Sequence, residues 1–430
     1  MEASPRAPRI DRILILTASV GAGHSRAAEA VEQALRAGSP TAHIELVDAL
    51  ADASGLFRSF YRDGYVACIE RLPRCVGWAY DRIDRPWKRH ALRDAAEDFC
   101  LQRLRRRIER SRADAIVCTH FLPAGIVARL RRRGVAAPWH GVVVTDLHPH
   151  ALWLHPEIDR YFVGTPEAAA YLDALGIPGS AVDVSGIPID ARFAEAPDRI
   201  AARRSLGLPV EGPVVLCSTG GLGLGPVERT ASDLVAALPD ATFVVVCGRN
   251  DQLRARLTPL ADASGGSLRV LGFTRQMHEL MAAADLFVGK PGGLTSAECL
   301  SRGLPMVIVD AVPGQEERNA EHLIEIGAAL RCRERATLPW KIGTLLHDPQ
   351  RLRRMRVSAA SHGRPGAAVA VAGAATAACG ARGDVPGLAA AADDERSEPR
   401  GFPAAAGRIG PPVWDQRSSA PAPREAPTLR

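Results

Sequence analysis

Short apolar runs alternate along the chain with longer stretches in which apolar residues recur every three or four positions, the pattern of strands followed by helices. In the first half this predicts strands at Arg12–Ala18, His43–Val47, Ala115–Thr119, Gly141–Thr145 and Arg160–Gly164. Helices such as Ser25–Ala37 and Ala91–Ser111 fall between them. The stretch Gly186–Pro197, rich in proline and turn residues, interrupts the rhythm, which then restarts. Second-half strands are predicted at Val214–Ser218, Thr242–Cys247, Leu268–Leu271, Leu286–Val288 and Met306–Val309. Strands that alternate with helices pair in parallel, so the expected fold class is α/β, with two Rossmann-like domains facing a cleft. Ligands then belong at the carboxyl ends of the strands. We place the first domain at 1–192 and the second at 198–357.

The remaining stretch, 361–430, differs. Ala, Gly, Pro, Arg and Ser dominate it, and neither a helical nor a strand period is visible beyond about Ala375. Such a composition buries too little apolar surface to offset chain entropy, which predicts a low-complexity, disordered tail.

Over the 430 residues, 47% are hydrophobic and 24% charged, which excludes a fibrous or wholly disordered chain. Nine cysteines form no C-x-x-C pair, arguing against a disulfide scaffold or zinc ribbon and fitting a reducing compartment. No apolar run is long enough to span a bilayer. The net charge is +6, and the stretch 55–112, with 15 basic and 8 acidic residues, carries the excess. It also holds Phe57, Phe60, Tyr61, Tyr65, Trp78, Tyr80, Trp87 and Phe99. One reading is an arginine-rich helical surface with some core aromatics. The other is an interfacial patch, arginines toward anionic headgroups and aromatics at the water–lipid boundary. No nucleic-acid motif accompanies the charge, so nucleic acid is not an expected partner.

Candidate chemistry gathers at strand ends. The first strand runs into Ser19-Val20-Gly21-Ala22-Gly23-His24-Ser25, a glycine turn opening a helix, where backbone amides and a positive helix end can hold an anion. Such a turn alone is a weak signal; His24 adds an imidazole able to take a proton near neutral pH. The fourth strand ends in Val144-Thr145-Asp146-Leu147-His148-Pro149-His150, with Trp153 and His155 beyond it. The histidine spacing matches no zinc pattern, so a polar cleft wall is the better reading, Asp146 orienting His24 or acting as the base itself. In the second half, Cys217-Ser218-Thr219-Gly220-Gly221-Leu222-Gly223 has the permissive backbone needed beside a diphosphate. More specific is Gly289-Lys290-Pro291-Gly292-Gly293-Leu294-Thr295-Ser296-Ala297-Glu298, which closes a strand and opens a helix. Its amides suit an anion, and Glu298 can accept hydrogen bonds from a ribose diol. Pro313-Gly314-Gln315-Glu316-Glu317-Arg318-Asn319 follows the next strand as a polar cluster able to bind sugar hydroxyls. Each run taken singly reads as an ordinary turn; three glycine runs, all at strand ends, point to one ligand cleft.

Together these motifs resemble the glycosyltransferases that build glycolipids on diacylglycerol, the monogalactosyldiacylglycerol synthases and processive diacylglycerol glucosyltransferases. More distantly they resemble the N-acetylglucosaminyl transferase of peptidoglycan lipid intermediates. The resemblance is carried by T-A-S-V-G-A-G-H-S-R-A-A, T-D-L-H-P-H-A-L-W-L-H-P-E-I-D-R-Y-F-V, G-I-P-I-D-A-R-F, K-P-G-G-L-T-S-A-E and P-G-Q-E-E-R-N-A, in that order between about residues 12 and 357.

The resemblance implies the GT-B fold, inversion at the anomeric carbon and no bound metal or cofactor, the UDP-sugar being a substrate; the chain has no Asp-x-Asp to hold a divalent ion. By motif position it implies His24 and Asp146 as the catalytic pair and Glu298 on the ribose. Gly220, Gly221, Gly292, Gly293, Leu294 and Thr295 would hold the diphosphate, and Gln315 and Glu316 the donor sugar. Gly23, His150 and Trp153 would border the acceptor. The implied activity is that of a UDP-sugar-dependent hexosyltransferase moving galactose or glucose to diacylglycerol. The alternatives are N-acetylglucosaminyl transfer to a polyprenyl-linked acceptor and a non-catalytic nucleotide-sugar-binding or membrane-binding relative. The implied location is cytoplasmic and peripheral, on the inner face of the cell membrane, with 55–112 against anionic lipids. Members of the family end soon after a helix that crosses back to the first domain. Here only Gly363-Arg364-Pro365 echoes that region.

Overall fold

The computed structural model describes residues 11–59, 61, 73–87, 91–135, 138–195, 197–218 and 227–383. In the first half, β1 (Arg12–Thr17), β2 (His43–Asp48), β3 (Ala115–Cys118), β4 (Trp139–Val143), β5 (Arg160–Phe162) and β6 (Val182–Asp183) form a parallel sheet in the order β2-β1-β3-β4-β5-β6. In the second half, β7 (Val214–Ser218), β8 (Thr242–Val246), β9 (Leu268–Leu271), β10 (Leu286–Gly289), β11 (Met306–Ile308) and β12 (Ala329–Arg331) form another, in the order β12-β11-β10-β7-β8-β9. Strand order reverses between β1 and β3 in one sheet and between β7 and β10 in the other. Chains leaving neighbouring strands at such a point turn to opposite faces of the sheet, and a crevice opens at their carboxyl ends.

The strands read as continuous apolar runs because both faces of each sheet are covered. Ile13 and Ile15 pack with Ala28, Val31 and Leu35 of the helix Ala22–Gly38, whereas Leu14 and Leu16 face Leu122 and Trp153 on the other side. A third apolar cluster is built mainly from the second half but takes in Ala27 and Leu147 from the first, so the two lobes share a core.

Differences from the expected elements have local causes. β6 and β12, of 2 and 3 residues, are too short to display a period. β4 begins at Trp139 rather than Gly141 because Gly141, lacking a Cβ, admits the Trp139 indole against Phe162. The single helix expected over 91–111 is two, Ala91–Cys100 and Gln102–Ser111, broken at the fully buried Leu101, which leaves helical geometry.

The expected disordered tail is corrected over 361–383. Pro349–His362 is helical, and after a short turn a second helix, Ala367–Gly383, lies on the first lobe. Its Val371, Ala372, Ala375 and Cys379 are buried with Val31, Leu35 and Phe162, and the Thr376 and Ser39 hydroxyls are 3.0 Å apart. The crossing helix is therefore present. Its period is carried by alanines, which let two helices approach closely while adding little hydrophobic contrast to the sequence. Residues 384–430 lie outside the described set.

Candidate active site

In the first lobe, Gly21 turns the chain out of β1 with φ 88°, a conformation that favours glycine, and the helix Ala22–Gly38 starts at once. This places His24 against the ends of β3 and β4. Its Nδ1 is 3.1 Å from the Thr119 carbonyl oxygen and 2.7 Å from Thr145 Oγ1, while Thr119 Oγ1 donates back to the His24 carbonyl at 3.1 Å. In the tautomer that lets Nδ1 donate to the Thr119 carbonyl, Nε2 keeps its lone pair. His120 meets the ring edge-on at 4.5 Å and Trp153 lies 6.3 Å away. Burial among these groups is the main cause that lowers the His24 pKa to about 4, the Thr119 hydrogen bond acting in the opposite sense. The imidazole is thus neutral at physiological pH, the state a proton acceptor needs.

Asp146 follows on the same wall. Its carboxyl is buried, which raises its pKa to about 6 against hydrogen bonds from Gln315 and Asn319 that lower it. Of the residues expected to border the acceptor, Gly23 sits at the crevice, where a Cβ would lie 3.8 Å from that of Leu294. Trp153 is buried beneath His24. Both ring nitrogens of His150 are engaged: Nδ1 accepts from the Leu152 amide at 3.1 Å and Nε2 donates to the Tyr80 carbonyl at 3.0 Å. His150 therefore shapes the wall by fastening the helix Pro73–Ile83 to it.

In the second lobe β7 and β10 run side by side so closely that a Cβ on Gly289 would overlap the Ser218 carbonyl oxygen. β10 then leads through Gly292 into the helix Gly293–Ser301, whose amino end opens onto the crevice. A Cβ on Gly293 would overlap the Thr145 carbonyl oxygen, so bare backbone is required where the lobes touch. Glu298 is buried, and Arg26 of the first lobe reaches across to it, with Nη2 2.8 Å from Oε1. The contact is an ion pair without hydrogen-bond alignment, and Oε1 has no hydrogen-bond partner among the described residues. Burial, only partly opposed by Arg26, raises the Glu298 pKa to about 7.

Gln315 and Glu316 begin the helix Gln315–Glu325. Gln315 donates from Nε2 to Asp146 Oδ1 across the crevice, and Glu316 Oε2 accepts from the Val312 amide at 2.7 Å. Asn319, fully buried, donates to the Pro291 carbonyl at 3.0 Å and accepts from the Leu147 amide at 2.9 Å, so one amide ties the two lobes. Gly220 and Gly221 lie outside the described residues. Thr119, His120 and Arg26 were given no role from the sequence, and Asn319 was named only within the polar cluster Pro313–Asn319. Their signal is positional: each stands at a strand end or one helical turn beyond a glycine turn.

Two parallel sheets whose switch points meet at one crevice make up the GT-B architecture. The fold is similar to that of MurG from Acinetobacter baumannii, with a TM-score of 0.56 and 19% identity, covering 85% of this chain and 99% of that one. It is also similar to a UDP-glucosyltransferase from Polygonum tinctorium, with a TM-score of 0.60 and 16% identity over 87% and 100%. Residues 24–189 match the family described as monogalactosyldiacylglycerol (MGDG) synthase, and residues 216–370 match the glycosyltransferase family 28 C-terminal domain. Processive diacylglycerol beta-glucosyltransferases from Bacillus cytotoxicus and Bacillus cereus (strain AH187) are 28% and 27% identical over 356 residues, 82% of this chain and 90% of each relative. Over most of its length the chain is similar to diacylglycerol glycosyltransferases, an MGDG synthase match being followed by a glycosyltransferase family 28 C-terminal match.

Proposed function

We propose that the protein moves a hexose, glucose or galactose, from a UDP-sugar to the free hydroxyl of diacylglycerol, inverting the anomeric centre. The observation that carries this reading is the meeting of the neutral His24 wall with the amino end of the helix Gly293–Ser301, Gly293 resting on Thr145. The acceptor oxygen attacks the anomeric carbon as the bond to the UDP oxygen breaks. Its proton passes to His24 Nε2, and the Thr119 carbonyl holds the ring by its other nitrogen. Charge developing on the diphosphate falls on the amides of Gly292–Thr295 and the helix dipole, so the step needs no bound metal. Glu298 Oε1 has acceptor capacity for a ribose diol. Asp146, tied to Gln315, fixes the wall on which His24 stands.

Lipid access fits the surface beside the crevice. Among the described residues of 55–112, Trp78, Trp87, Leu92 and Phe99 are exposed, Leu92 at 90% and Phe99 at 74%. Phe57 and Tyr61 instead stack at 5.3 Å against the core, and Phe60 and Tyr65 lie outside the described set. Arg107 is paired with Glu45 and Asp52, and Arg105 with Glu109, so part of the positive charge is already matched. No helix among the described residues is long and apolar enough to cross a membrane. The reading is a peripheral enzyme resting on anionic lipids at the inner face through this apolar rim.

A screen of radiolabelled UDP-glucose, UDP-galactose and UDP-N-acetylglucosamine against diacylglycerol and polyprenyl-linked acceptors, read by chromatography, tests the proposal. The expected product is a hexosyl-diacylglycerol. Product on the polyprenyl acceptor alone, or UDP release that ignores diacylglycerol, would overturn it.

A further inference from the structure

We propose that Arg318 is a positioning residue for transfer. By bridging to Asp84 on the first lobe, it seats the Pro313–Gln315 turn so that Gln315 meets Asp146. The assignment rests on the transferase reading above. It starts from the interlocking of two glycines. On the helix Pro73–Ile83 a Cβ at Gly77 would come within 2.7 Å of the Pro313 ring, and a Cβ at Gly314 (φ 94°) within 2.8 Å of the Tyr80 ring. Each lobe thus omits one side chain so that this helix and the donor-side turn can mesh.

Arg318 closes the same contact. Its Nη1 is 2.6 Å from Asp84 Oδ2, its Nη2 is 3.6 Å from Asp81 Oδ1, and its guanidinium lies 5.3 Å from the Tyr80 ring centroid. The other oxygen of the largely buried Asp84 accepts from the Ala151 amide at 2.8 Å and so holds the Ala151–Trp153 turn, whose Trp153 underlies His24. One carboxylate therefore joins the support of the proton acceptor to the helix that carries Gln315. Arg318 stands one turn beyond Gln315 on that helix, so fixing one fixes the other. Removing the guanidinium leaves a mostly buried carboxylate without its counter-ion and frees the turn to shift, and displacements of about 1 Å at a reacting centre cost up to about a hundredfold in rate.

The test is a double-mutant cycle in the full-length enzyme. Arg318→Met keeps the stem on Tyr80 and removes the charge; Asp84→Asn keeps an acceptor for Ala151 and removes its charge. Each single change should lower kcat about tenfold, with the KM for UDP-sugar within about twofold of wild type. The double variant should be no slower than either single one, because both break the same bridge. Arg318→Lys should recover part of the loss, and amide exchange over residues 313–318 should quicken in both single variants. A wild-type kcat in Arg318→Met, multiplicative losses in the double variant, or a loss tracking reduced UDP affinity and Tm would overturn the assignment alone. A wild-type protein that transfers no sugar would overturn the transferase reading and this assignment with it.

Discussion

His24 is held in position by its Nδ1 contacts with Thr119 and Thr145, and in the tautomer that donates to the Thr119 carbonyl Nε2 is left as the base. Replacing it by Gln keeps a polar side chain but removes the proton acceptor. His24→Gln should lower kcat by about a hundredfold to ten-thousandfold, while UDP affinity measured by calorimetry stays within about twofold. An unchanged kcat would take His24 out of the reaction. Gly293 is a second residue whose role is set by what it lacks. In Gly293→Ala the new Cβ would collide with the Thr145 carbonyl and part the lobes. Transfer should fall by about a hundredfold or more with the circular dichroism of the native protein retained; activity near wild type would show that the lobes work further apart than described. His24, Asp146 and Gly293 stood out in the sequence because all three follow strand ends, His24 and Gly293 within glycine turns. The partners were not. That Gln315 lies on Asp146, and that Arg26 faces Glu298, depends on segments well over a hundred residues apart meeting across the crevice.

Among the elements, strands and their terminal turns were readable because a buried parallel strand is a continuous apolar run and a phosphate-binding turn needs glycine. The basic aromatic stretch was readable only as a composition. Folding sorts it: Tyr80 turns inward to Arg318, Phe57 and Tyr61 join the core, and Trp78, Leu92 and Phe99 remain outside. On the proposed lipid contact, the joint change Leu92→Glu and Phe99→Glu should weaken binding to anionic vesicles about tenfold or more in a flotation assay, since each exposed apolar group offers about 1.5–3 kcal/mol on burial. Tm should not move, because neither side chain packs in the fold. Vesicle binding equal to wild type would place the docking surface elsewhere.

For the whole molecule, the crossing helix Ala367–Gly383 returns the end of the second lobe to the first and covers part of β1, β3 and β4. Ala375→Asp would bury an unpaired carboxylate at a fully buried position, and differential scanning calorimetry should show Tm lower by about 5–10 °C. No change would mean that the helix is dispensable to the fold. His140 gives a test of pH dependence. It is fully buried, neither ring nitrogen has a hydrogen-bond partner among the described residues, and burial holds its pKa well below 6.5. The unfolded chain therefore takes up a proton that the native state refuses, and this group's contribution to stability falls as pH drops below about 6.5. His140→Leu should accordingly raise Tm more at pH 5 than at pH 7.5; an equal gain at both would refute the linkage. By itself the sequence determined the local order, since apolar periodicity and glycine turns act through neighbours along the chain: parallel α/β halves, their strand-end turns and the candidate residues upon them. Only the tertiary structure decided which of those residues face one another, which aromatics stay at the surface, and that an alanine-rich stretch becomes a packed helix. Those outcomes depend on surfaces from distant segments burying each other, and that complementarity leaves no period in the chain.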